Sequence, residues 1–233
     1  MNKKKIIIGA RGSKLAVKYA ELAIRKIKKF YNGKIELKKI VTKGDRVLNR
    51  RTSDIGGKGE FVKNIEKELI AKKIDIAVHS LKDIPYKETP GLIIKTFLKR
   101  NSPREVLISK NNLSFEKLKK NSIIGTSSFR REFQLKMMRP DLKFKLIRGN
   151  IDSRIKKIYE KKYDAIILAK AGLKSLKMTS LITQEFDCDK IIPSAGQGVI
   201  LYNREKMITK LINFWKRLMT KIQKLEQRLR EKF

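Results

Sequence analysis

Apolar positions along this chain follow two alternating rhythms. Short runs rich in Ile and Val are separated by longer segments in which apolar residues recur every three or four positions. That alternation predicts an α/β protein with mainly parallel sheets. The runs predict strands at 6–8, 34–42 and 75–79, with helices over 15–30 and 60–71. The rhythm then repeats, with strands at 122–125, 143–147 and 164–168 and helices over 128–138 and 151–160. Between the halves lies the polar, proline-bearing stretch 99–103, read as a crossover between two domains. The expected division is 1–98 for the first domain, with a return segment at about 194–203, and 99–193 for the second. From about Arg204, glycine and proline vanish, and Leu211, Trp215, Leu218, Ile222, Leu225 and Leu229 recur at alternating four- and three-residue steps. Residues 204–233 therefore read as one amphipathic helix, a remnant of or lead-in to a third domain.

Charge alters this picture only in part. The 58 Lys and Arg against 23 Asp and Glu leave a formal +35, a level that points first to nucleic acid or a membrane surface. Lysine runs such as Lys3-Lys4-Lys5 sit beside many Ile and Asn residues, however, a mixture that an AT-rich coding bias also produces. Most of the charge is accordingly read as solvated surface, with a minority serving a small polyanionic substrate. Aromatic residues make up only 7% and do not interleave with the basic runs, so no base-stacking platform is expected, and no nucleic-acid partner. The single cysteine, Cys188, excludes an internal disulfide, and the single histidine, His79, leaves too few soft ligands for a Cys/His metal site. The apolar run after the basic Met1 to Lys5 is too short for a signal peptide, and no stretch approaches a membrane span, so a cytoplasmic protein is expected.

Candidate chemistry gathers where predicted strands end. Val78 to Pro85 closes a strand and at once presents Ser80, Lys82 and Asp83 at its carboxyl edge, where open α/β sheets bind ligands. Gly125 to Arg131 follows another strand and opens a helix, so free backbone N–H groups, the hydroxyls of Thr126, Ser127 and Ser128, and the guanidiniums of Arg130 and Arg131 are set to meet an anion. Arg148-Gly149-Asn150 with Arg154 repeats the design, as do Arg11 and Ser13 after the first strand. Arginine suits bidentate carboxylate binding, and no P-loop is present, so a cleft that grips several carboxylates is the better expectation than a phosphate site. The glycine-rich stretch 41–61 reads equally as a mobile cover or an ordinary connection. The Pro193 to Gly198 turn lets Gln197 reach a ligand, His79 reads as a satisfied core residue, and Cys188, flanked by Asp187 and Asp189, is not nominated as a nucleophile.

In their order along the chain, Ala10-Arg11 with Ser13 and Leu15-Ala16, Val41 to Asp45, Gly56 to Gly59, Val78 to Pro85, Gly125 to Arg131, Leu146 to Asn150, Tyr163 to Leu168 and Gly196 to Gly198 resemble the porphobilinogen deaminases (hydroxymethylbilane synthases) across roughly the first 200 residues. The resemblance implies two periplasmic-binding-protein-like domains with the active cleft between them, and a smaller third domain. It implies a transferase of tetrapyrrole (haem) biosynthesis that condenses four porphobilinogen molecules into hydroxymethylbilane with loss of ammonia, primed by a dipyrromethane cofactor bonded to a cysteine in a Gly-Gly-Cys context. Asp83 then takes the catalytic place. Arg11, Ser13, Lys82, Thr126, Ser127, Ser128, Arg130, Arg131, Arg148, Asn150, Arg154 and Gln197 take the substrate- and cofactor-binding places.

Two departures qualify the match. Ser175 stands where the family usually has a further carboxylate-binding arginine, and nothing in the chain matches the Gly-Gly-Cys attachment site. The alternative expectation is a truncated, inactive or split-gene chain acting as a polycarboxylate-binding module, partnered by a separately encoded C-terminal domain.

Overall fold

The computed structural model describes residues 5–47, 49–51, 54 and 57–205. Among the described residues, ten strands form two five-stranded sheets. In the first, β1 (Ile6–Arg11) lies between β2 (Ile35–Ile40) and β3 (Ile76–Ser80), and β10 (Ile200–Glu205) separates β3 from β4 (Leu92–Phe97). In the second, β6 (Ile123–Gly125) lies between β7 (Lys143–Lys145) and β8 (Ala165–Ala169), and β5 (Glu105–Ser109) separates β8 from β9 (Gln184–Glu185).

Side-chain alternation explains why both faces of each sheet are covered. On β3, Ile76 and Val78 join Ile6, Ile8, Ala23 and Ile27 in one core, while Ala77 joins Ile65, Leu69 and Leu92 in another. Successive strand residues point to opposite faces, and a near-continuous apolar run is what burial on both sides demands. The faces are covered by α1 (Lys14–Lys28) and α3 (Lys63–Ile70) in the first unit. In the second, β8 sends Ala165 and Ile167 toward Leu135 of α4 (Phe129–Met138), and Ile166 and Leu168 toward Ile155 and Ile158 of α5 (Ile151–Tyr159). Helix starts follow local chemistry. Ser13 caps α1 by accepting from the Ala16 N–H at 3.3 Å, and Ser128 caps α4 by accepting from the Arg131 N–H at 3.4 Å.

The periplasmic-binding-protein-like α/β architecture is present, but the sheets are mixed where mainly parallel ones are expected. β1, β2 and β3 run parallel, as do β6, β7 and β8, whereas β10 is antiparallel to both β3 and β4, and β5 to both β8 and β9. The reason is the path of the chain. β10 enters the first sheet from the second, beginning opposite Ser80 at the carboxyl end of β3, and β5 enters the second from the first, beginning opposite Ala169 at the carboxyl end of β8. The two crossing segments bind each other: the Leu98 N–H donates to the Ile200 carbonyl at 2.9 Å and the Asn101 N–H to the Gly198 carbonyl at 2.8 Å. Both parallel trios thus end at the crossings, which places the strand ends that carry the motifs around one space.

Four further differences from the sequence reading have local causes. The segment read as one helix over 60–71 is a tight turn at Lys58–Phe61 followed by α3, broken at Val62. β4, β5 and the short α6 (Lys170–Ser175) belong to elements that the periodicity left unassigned. Arg204 and Glu205, placed in the C-terminal helix, extend β10 opposite Ile93 and Leu92; the remainder of that helix, 206–233, lies outside the described residues. His79 is buried at 5% exposure, yet its Nε2 has no hydrogen-bond partner, so it is not the satisfied core histidine expected.

The crossing geometry is testable at a glycine. Gly198 has φ +86°, and a Cβ there would lie 2.4 Å from the Asn101 carbonyl oxygen, a backbone atom. Gly91, at φ +85°, has open space around it. Urea unfolding should show Gly91→Ala losing about 1 kcal/mol and Gly198→Ala losing about 3 kcal/mol or more, because only the second adds a clash to the left-handed backbone cost.

Candidate functional site

The strand ends surround a cavity of about 700 Å³ lined from both sheets. From the first unit come Arg11 and Ser13 at the end of β1, and His79, Ser80, Lys82 and Asp83 at the end of β3. Ser127, Ser128, Arg130 and Arg131 come from the start of α4, Arg148, Asn150 and Arg154 from the turn into α5, and Gln197 from the second crossing. The structure therefore brings together every candidate except Thr126. That threonine is 1% exposed and outside the cavity, and its hydroxyl accepts from the Ser128 N–H at 3.2 Å, so it shapes the turn and is not a ligand group.

The arginines repel one another, and the wall shows how that repulsion is held. Burial pushes Arg154 down to about 10, with Arg131, Arg148 and Arg11 adding to the shift. Its Nε donates to the Gly149 carbonyl at 2.8 Å. Arg148 is 6% exposed and sends Nη2 to the carbonyls of Gly44 at 2.9 Å and Val47 at 3.2 Å. Arg11 pairs with Asp45 and stacks 4.1 Å from the centre of the Phe61 ring. Burial alone would raise the Asp45 carboxyl, but Arg11 and the Thr42 hydroxyl, 2.7 Å away, outweigh it and hold it below its usual value. Burial likewise pushes the Lys82 ammonium down, and Arg131 adds to this, while Asp83 and Glu105 pull the other way. Such a crowd of desolvated cations is an electrostatic site for polyanions.

Gln197 lines the cavity, and its side-chain amide is bonded within the chain. It is 1% exposed, donates Nε2 to the Pro103 carbonyl at 2.6 Å and accepts from Lys82 Nζ at 3.2 Å. It ties Lys82, the neighbour of Asp83, to the crossing. The stretch read as a cover is joined to the second unit: besides the Arg148 bonds, Arg51 pairs with Glu132 at 2.6 Å and lies 4.0 Å over the Phe129 ring.

Three cavity or wall residues escaped the sequence reading. Asp45 lay within a quoted motif but carried no role there. Tyr19, on α1, lines the cavity, and burial pushes its phenol up to about 12, with the Ser175 hydroxyl opposing the shift and Asp83 adding to it. Glu105 is fully buried beneath Arg130 and Arg131. Its only signal in the sequence was an acid heading the apolar run Val106-Leu107-Ile108. Among the described residues, no group of three His, Cys, Asp or Glu side chains could hold a metal ion, and no helix is long and apolar enough to cross a membrane.

Residues 6–212 match the family model described as porphobilinogen deaminase, dipyromethane cofactor binding domain. A porphobilinogen deaminase of Bacillus cereus (strain B4264) is 48% identical over 199 residues, covering 84% of this chain and 64% of that protein. One of Oceanobacillus iheyensis is 43% identical, covering 92% of this chain and 70% of that protein, and one of Bacillus subtilis (strain 168) is 46% identical, covering 84% and 63%. The chain thus spans about 64% of the length of such a relative. Among solved structures, an ancestral cationic amino acid solute binding protein superposes with a TM-score of 0.55 at 15% identity, covering 94% of this chain and 90% of that one. A putative methionine-binding lipoprotein of Bacillus subtilis superposes with a TM-score of 0.51 at 14% identity, covering 94% and 91%. These structural likenesses show the fold alone.

His79 gives the cavity a pH signature. Burial, with Arg11 adding, pushes its imidazole down from 6.5 to about 4. The folded chain therefore holds it neutral, whereas the unfolded chain takes up a proton near its ordinary value. The stability this contributes is complete above pH 6.5 and is lost as pH falls toward 4. Between about pH 7 and about pH 5 the loss amounts to about 2 kcal/mol. Urea unfolding at the two pH values should show that loss in the wild type and a much smaller one in His79→Leu.

Proposed function

The chain belongs to the porphobilinogen deaminase family, and on that premise we propose that its cleft binds porphobilinogen and condenses four molecules of it into hydroxymethylbilane, releasing one ammonia at each step. The observation that supports this reading most directly is the placement of Asp83 in a cavity walled by five arginines, Arg11, Arg130, Arg131, Arg148 and Arg154, where the other lining carboxylates, Asp45 and Asp152, are paired with Arg11 and Lys14.

The substrate's chemistry matches that wall. Porphobilinogen carries an acetate and a propionate arm, which the arginines, with Ser13, Ser127, Ser128 and Asn150, receive as charge-assisted hydrogen bonds. With the arms fixed, the aminomethyl group lies toward Asp83. The aminomethyl group carries its proton as an ammonium at neutral pH, so the C–N bond breaks with ammonia leaving on the bonding pair while the pyrrole nitrogen supplies electrons to the methylene carbon. Asp83 accepts the pyrrole N–H and offsets the positive charge that develops on the ring, a stabilisation strengthened by exclusion of water. Lys82, held by Gln197, keeps Asp83 from being the sole charge at the strand end. In a pure binding module, a carboxylate at this position would only weaken affinity for polycarboxylates.

The family's dipyrromethane cofactor fits the described cleft by its carboxylates. Arg154, already pushed to about 10 by burial with its neighbouring arginines adding, gains from any added anion. Arg11, Arg148 and Arg154 would hold those carboxylates, and the bound group supplies a nucleophilic pyrrole carbon. Cys188, the chain's one cysteine, is half-buried and does not line the cavity, so the described cleft offers no thiol for attachment. The reading takes 1–98 with about 194–203 as one lobe and 99–193 as the other, in a cytoplasmic enzyme with a small-molecule partner.

Asp83→Ala discriminates catalysis from binding. Purified chain assayed with porphobilinogen should lose turnover by about 100-fold or more in the variant, while calorimetry shows porphobilinogen binding retained or tightened. Wild-type chain that binds porphobilinogen without consuming it would leave the binding module as the function.

A further inference from the structure

Glu105 opens β5 at 0% exposure, a position where an unpaired carboxylate would be costly. Its Oε1 lies 2.5 Å from Arg130 Nη2 and its Oε2 lies 2.7 Å from Arg131 Nη2, so one carboxylate bridges two consecutive guanidiniums of α4. The two arginines differ in everything else. Arg131 is 8% exposed, its Nη1 donates to the Ile167 carbonyl at 3.1 Å, and its Nε is buried without a partner in the wall. The Arg130 side chain is 29% exposed against 10% for Arg131, and its Nη1 reaches the carbonyl of the exposed Ile192; both arginines line the cavity.

Backbone bonds fix Glu105 itself. It pairs with Ala169 across β8, and its carbonyl accepts from the Phe186 N–H at 3.0 Å. Burial would raise its carboxyl, but Arg131 and Arg130 outweigh that and hold it ionised.

We infer that Glu105 is a positioning residue that divides this arginine pair, locking Arg131 into the wall and presenting Arg130 as the guanidinium of α4 that receives a substrate carboxylate. The inference rests on the reading of the cleft as a polycarboxylate site and adds to it a limit on affinity. The triad carries a net charge of +1 where the two arginines alone would carry +2, and the fixed negative charge opposes each incoming carboxylate. A site that gathers carboxylates along a growing chain and then lets it go needs such a counterweight.

The test uses pyromellitate, a planar polycarboxylate, as probe. Glu105→Gln keeps the shape and removes the charge. It should lower the melting temperature, bind the probe roughly tenfold more tightly than wild type, as gain of a charge-assisted contact requires, and recover much of the lost melting temperature when saturated. Glu105→Asp, which keeps the charge, should stay close to wild type in affinity. A merely structural role would lower the melting temperature with no gain in affinity and no recovery, and that result overturns the inference. If the Gln variant does not fold, the side-chain Nε–Hε signals of the wild type decide: saturation should shift Arg130 more than Arg131, and the reverse order overturns the assignment. Wild-type chain that binds no pyromellitate sinks the polycarboxylate reading itself, a failure distinct from that of Glu105.

Discussion

Mutual repulsion among guanidiniums is the constraint around which this structure is arranged. Burial depresses Arg154 to about 10, and the nearby Arg131, Arg148 and Arg11 add to the shift. Like charges in a poorly hydrated space disperse or neutralise unless something holds them. Each is held by a different device: Asp45 and a stacked Phe61 for Arg11, Glu105 and a strand carbonyl for Arg131, loop carbonyls for Arg148, and a turn carbonyl for Arg154. Carbonyls and rings restrain a cation without cancelling its charge, so the cavity stays positive while its geometry stays fixed.

The fold supplies these devices because of how the chain crosses between the sheets. β5 and β10 each enter at the carboxyl end of a parallel strand, so both sheets turn their ligand-binding edges toward the same crossings. Glu105 is the first residue of one entering strand, which puts its carboxylate beneath the start of α4. Gln197 stands just before the other and ties Lys82 to the crossing. The residues that connect the halves are thus also the residues that position the chemistry.

Much of the site was legible in the sequence for a local reason. A strand followed at once by hydroxyls and arginines at a helix start places those groups at a sheet edge whatever the rest of the chain does. This is why Asp83, Arg11, Arg148 and Arg154 meet in one cavity as their positions suggested. At Thr126 and Gln197, residue type shows what a side chain can bond, not which partner is nearest. A backbone N–H two residues on took the Thr126 hydroxyl, and Pro103, distant in sequence, took the Gln197 amide. The antiparallel strands were missed because their direction depends on where the chain comes from and leaves no periodic trace.

By itself, the sequence determined the α/β class, the family and most of the motif residues that line the cleft, since each rests on periodicity or on short motifs whose geometry is local. Only the tertiary structure decided the mixed sheets, the unpartnered His79 Nε2 and the unequal exposure of Arg130 and Arg131 above one buried carboxylate. Those depend on contacts between residues far apart in the chain. The buried carboxylate that distinguishes two adjacent arginines reaches them only after β5 has crossed into the second sheet and packed beneath α4.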